Sequence, residues 1–169
     1  VAAWGGMLAW PVFSWLRPKL PVCLWTPSGQ ALISHGPATP AVVNAPAVEQ
    51  AVFSALLLPE PLLLRQTVDL PALPPDQCLD ALRLAIVGLS PFASDDLVWS
   101  HESARQLGAP LATNRHHLVL ASRKSIGQHI AQAHPTLDPA QLEIWVQSAV
   151  NGQHVLLPGF AEAARLRRT

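Results

Sequence analysis

Two kinds of spacing alternate along the chain, period-two runs that suit strands and three-four runs that suit helices. Residues 22–26 and 30–35 flank Pro27-Ser28-Gly29, where Pro sets φ and Gly permits a positive φ, so this stretch predicts a hairpin. A Pro- and Ala-rich stretch follows, with room for a short edge strand at 41–43. Asn44 then reads as an N-cap with Pro46 in the first turn, and Val48, Val52, Ala55 and Leu56 predict a helix to about Leu57. Next, Leu62, Leu64, Val68 and Leu70 alternate with Leu63, Arg65, Thr67 and Asp69, the pattern of a strand with one buried face. Pro71, Pro74 and Pro75 close it. Asp76 is expected to cap a helix whose Leu79, Leu82, Ile86 and Leu89 recur at spacings of three, four and three, and Gly88 to help end it.

Beyond the turn at Ser90-Pro91-Phe92 the grammar repeats. Strands are expected at 97–101 and 117–121, then a helix from Ser122 with Ile126 and Ile130 on its inner face and Pro135 as its stop. Leu142, Ile144 and Val146 alternate with Glu143, Trp145 and Gln147, and Asn151-Gly152 predicts a type I′ turn before a last strand at 154–157. The expected class is α/β (α+β), a mixed β-sheet with packed helices.

Composition narrows the function. Half of the 169 residues are hydrophobic and 13% are charged, which excludes a disordered chain. Eleven basic residues balance eleven acidic ones, which argues against a nucleic-acid binder. The middle is nevertheless acidic, with Glu60, Asp69, Asp76, Asp80, Asp95, Asp96 and Glu102 against Arg65 and Arg83, and both ends are basic. Cys23 and Cys78 are far apart and form no CxxC, which fits a reducing compartment. Residues 1–16 carry Trp4, Trp10 and Trp15 without a charge, but Pro11 interrupts the run and it is shorter than the roughly 20 residues a bilayer requires. It reads as a Trp-rich strip, packed on its own domain or touching a lipid interface or partner. Arg165, Arg167 and Arg168 fit the flank of a membrane helix expected beyond Thr169, or an ordinary solvated helix end.

Chemistry is sparse. No phosphate-binding Gly-Lys-Ser/Thr occurs, and Gly5-Gly6 opens no dinucleotide-binding unit. His101-Glu102 begins like a metalloprotease helix, yet Arg105 stands where the second His is needed. His116 and His117 should point to opposite faces of a strand, and His129 and His134 lie off a common helical face, so no metal site is expected. Ser90 lacks the glycine frame of a nucleophile elbow. Cys78 has the carboxylates Asp76 and Asp80 as sequence neighbours, which disfavour a thiolate, and reads as inert. Asp95-Asp96 reads as a turn or cap rather than an acid–base pair. The chain is expected to be no enzyme and to use no cofactor.

One resemblance runs through residues 62–102. A strand with Arg65, closing on Leu70-Pro71, leads to a helix with Leu82; Ser90-Pro91-Phe92 follows, then Asp95 before Trp99. Ala121-Ser122-Arg123 and Leu156-Leu157-Pro158-Gly159-Phe160 continue it. This order resembles the cytoplasmic part of type II secretion system protein L and related type IV pilus (fimbrial) assembly proteins. The resemblance implies a reduced actin-like, RNase H-like domain of a bacterial inner-membrane protein. It implies an adaptor that docks the assembly ATPase and inner-membrane platform proteins, with homodimerisation also allowed. On this reading 1–20 is the Trp-rich segment, 21–160 the actin-like domain with 21–90 and 91–160 as its two subdomains, and 161–169 a basic juxtamembrane tail. Partner binding is expected at Pro91, Phe92, Asp95, Asp96, Trp99 and Glu102. Two rivals remain open, an actin-like ATPase and a small soluble hydrolase. For the first, the hairpin Trp25-Thr26-Pro27-Ser28-Gly29 lacks the acid that would hold Mg²⁺.

Overall fold

The computed structural model describes residues 20–43, 48, 51, 53–105 and 113–161. The Trp-rich segment, most of the helix expected from Asn44 and the basic tail with Arg165, Arg167 and Arg168 lie outside the described residues. Among the described residues eight strands form two sheets. The first sheet holds β1 (Val22–Trp25), β2 (Ala31–Ser34), β3 (Phe53–Leu57), β7 (Leu142–Gln147) and β8 (His154–Leu157) in the order β2-β1-β3-β7-β8. Its centre, β1, β3 and β7, is parallel, and β2 and β8 pair antiparallel at its two ends. The second sheet is antiparallel, with β6 (Thr113–Ser122) between β4 (Leu64–Pro71) and β5 (Leu97–Arg105). Helix α1 (Pro75–Leu89) joins β4 to β5, and α2 (Arg123–Ala133) leads from β6 toward β7. The molecule is thus the expected mixed α/β class.

Strand alternation sorts the core into three layers. Leu56 of β3 and Leu142, Ile144 and Val146 of β7 meet Val98 of β5, Val119 and Ala121 of β6 and Ile126 of α2, filling the space between the sheets. On the outer face of the first sheet Val22, Leu24, Phe53, Ala55 and Trp145 form a second cluster. On the outer face of the second sheet Leu118 and Leu120 take Leu82 and Ile86 from α1.

Four local expectations are corrected. Phe53–Leu57 is a strand, not the end of a helix. As the middle strand of a parallel trio it is buried on both faces, and such a strand reads as a continuous apolar run without a period of two. The 41–43 strand reduces to one bridge, Ile33 to Val42. Asp76 is not the cap of α1: Pro74 holds that position, and Asp76 lies inside the first turn, where its charge still complements the helix dipole. Asn151-Gly152 is not a type I′ turn, because Gly152 has φ of 70° but no non-glycine residue among those described has a positive φ. The loop from Ser148 to Gln153 is instead closed by Ser148 N donating to the Gln153 carbonyl at 2.8 Å.

Candidate functional site

The expected partner-binding residues fall on the turn after α1 and on β5, and the structure gives them different work. Ser90 Oγ accepts from Phe92 N at 3.1 Å and fixes the Pro91 turn. Phe92 then folds back against the cluster under α1, half-buried, while Pro91 stays exposed. Asp95 is exposed at the tip of the next turn. Asp96 is committed to α2: it accepts from Ser122 Oγ at 2.6 Å and from Lys124 N at 2.8 Å, and its own carbonyl accepts Arg123 N at 2.7 Å. Ser122 in turn caps the helix by accepting from Ser125 N at 3.1 Å. The hydrogen bond from Ser122, with that from Lys124, holds the Asp96 carboxyl below its ordinary range. Glu102 closes the loop after β7, accepting from Ser148 Oγ and from Ala149 N. Of the acidic positions, then, Asp96 and Glu102 are tied down by the fold and Asp95 faces solvent.

Trp99 is placed differently. It is half-buried on the helix side of β5, an edge strand of its sheet. A groove of about 460 Å³ opens beside it, walled by Leu79 and Arg83 of α1 and by Arg123, Pro158 and Gly159 on the far side. Arg123 shapes that far wall. Its Nη1 donates to the Gly159 carbonyl at 2.7 Å and its guanidinium lies 5.0 Å over the Phe160 ring. Gly159 has φ of +100°, which favours glycine, and a Cβ there would stand 2.6 Å from Arg123 Nη2 and displace the guanidinium. Segments 90–96, 121–123 and 156–160, far apart in sequence, thereby become one connected patch.

Other chemistry is distributed rather than gathered. The hydroxyls of the first hairpin are used within it: Thr26 Oγ1 and Ser28 Oγ share a hydrogen bond of 2.8 Å, and Thr26 Oγ1 accepts from Gln30 N at 3.1 Å. His101 and Glu102 sit on a strand, on opposite faces. His129 and His134 do meet, with ring centroids 6.1 Å apart, because His134 leaves the helix as its C-cap and is no longer bound to helical spacing. Among the described residues no group of three or more His, Cys, Asp and Glu side chains is placed to hold a metal ion. No described helix is long and apolar enough to cross a membrane. No family model and no curated protein matches this chain.

One contact escaped the sequence reading. Cys78 Sγ lies 3.6 Å from His116 Nε2, on the face of the second sheet that α1 covers. His101 adds a third group, its ring 5.9 Å from that of His116. A signal for it was present, since Cys78 stands four and eight residues before Leu82 and Ile86, on the same inward stripe. Likewise His116 shares its strand face with Leu118 and Leu120.

Proposed function

We propose that the chain is a non-catalytic adaptor, an actin-like cytoplasmic domain of an inner-membrane protein that helps assemble a type II secretion or type IV pilus system. Its groove beside β5 receives the assembly ATPase or a platform protein. The observation that carries this reading is the convergence at Arg123. The separate pieces of sequence that bear the resemblance meet there and wall a groove that contains Trp99. The strand order agrees with an actin-like, RNase H-related sheet: Val42, β2 and β1 run as an antiparallel meander, and β3 and β7 continue it in parallel. Tryptophan at the centre of a concave surface is the residue type on which binding energy concentrates.

The test is calorimetric titration of the purified chain with a purified assembly ATPase of a type II secretion or type IV pilus system. Binding is expected, weakened about tenfold or more by Trp99→Ala in a variant whose melting curve remains cooperative. Absence of binding by the native chain, together with a rise in melting temperature on adding Mg-ATP, would replace the adaptor reading with the nucleotide-binding one.

A further inference from the structure

The pair under α1 has a chemistry that docking does not use. His116 is 3% exposed, its Nε2 faces the Cys78 sulfur, and its Nδ1 is buried without a hydrogen-bond partner. A buried ring nitrogen left unsatisfied is uncommon and calls for an explanation. Burial pushes the His116 imidazole below its ordinary value and so favours the uncharged ring, whose Nε2 lone pair can face the thiol. Cys78 itself is half-buried on the first turns of α1.

We propose that Cys78 and His116 form a thiol–imidazole pair that takes up a low-molecular-weight disulfide as a mixed disulfide on Cys78. Nε2 accepts the thiol proton as the sulfur attacks one sulfur of the incoming disulfide. A new S–S bond forms, the old one breaks, and the departing thiolate takes the proton from the imidazolium, so one free thiol leaves and the ring returns to neutral. The groups around the ring are accounted for. Asp69 of β4 favours the protonated imidazole through its charge, and His117, next to it in β6, opposes it. His101 approaches from β5, and the exposed carboxylates Asp76 and Asp80 stand two residues to either side of Cys78 on α1.

The second cysteine cannot resolve the adduct. Cys23 is buried in β1, 4% exposed, in the other sheet, and burial pushes its thiol up. The mixed disulfide therefore persists until an external thiol removes it, as a reversible mark would.

The experiment incubates the native chain with oxidised glutathione and maps the product by peptide mass. One glutathione is expected on Cys78 and none on Cys23. In parallel, iodoacetamide should alkylate Cys78 at pH 7 about tenfold or more faster than free cysteine, and His116→Gln should remove that advantage. Alkylation of Cys78 in the native chain at or below the rate of free cysteine would overturn the proposal. That measurement needs no variant, so it decides the matter even if His116→Gln does not fold.

Discussion

At the scale of single residues, the junction of β5, β6 and α2 rests on Asp96 and Ser122. Helix α2 has no acidic residue of its own in its first turn, so the carboxylate that answers its free N–H groups comes from 26 positions before Ser122. That carboxyl is held below its ordinary value of 3.8 in the folded chain, so near that pH the unfolded chain binds more protons than the folded one. Its stabilising effect is therefore complete above the ordinary value and disappears as pH falls through the lowered one. Asp96→Asn should lower the melting temperature at pH 7, and the gap to the native chain should close below pH 3.8 as the native carboxyl protonates. Melting curves from pH 7 down to pH 2 read this directly. Ser122 is 6% exposed and caps α2, and Ser122→Ala should cost about 1 kcal/mol in urea denaturation. The double variant should lose less than the sum of the two single losses, because each single variant removes the same Ser122–Asp96 bond.

At the scale of elements, α1 is anchored to the second sheet by Leu82 and Ile86, with Cys78 against His116 beside them, while Leu84 and Val87 on its outer face are exposed. Leu82 is fully buried, so Leu82→Ala should cost about 2 to 5 kcal/mol by the same denaturation measurement. Glu102→Ala should instead act on the loop it holds. Ser148 Oγ also accepts from Val150 N and Asn151 N, so releasing it loosens the whole turn, and amide exchange at residues 149–151 should accelerate. The sequence told α1, β4, β7 and the start of α2 correctly because each carries its own local signal: a stripe at 3.6, an alternation, or the cap at Ser122. It failed at β3, where Ala55 and Leu56 satisfy helical spacing and burial on both faces erases the strand period. The same limit hid the cap given by Asp96 and the pairing of Cys78 with His116. Each joins residues whose local contexts are independent, and only the register of β5, β6 and α1 brings them together.

At the scale of the whole molecule, neither half of the chain contains a complete sheet. β3 takes the second of its two parallel neighbours, β7, from about ninety positions later, and β4 needs β6 before it has any strand partner. The core between the sheets is similarly divided, with Leu56 and Leu58 from the first half and Val98, Val119, Ile126, Leu142, Ile144, Val146 and Leu157 from the second. Arg65, held by a bidentate pair to Glu60, ties the halves by a bond of 2.9 Å to the Gln147 carbonyl. Cutting the chain at Ser90 would expose the inner faces of β3, β4, β6 and β7 together and leave the Arg65 guanidinium without its β7 acceptor. A fragment ending at Ser90 should therefore show no cooperative melt and should bind a hydrophobic dye. The complementary fragment should keep the antiparallel pairs β5–β6 and β7–β8 at most, since those alone pair within it. Mixing the two should restore a single melting transition, because the surfaces that each lacks are those the other carries. A cooperative transition in the first fragment alone would show that β1, β2 and β3 with α1 hold a core of their own, contrary to the partition of contacts seen here.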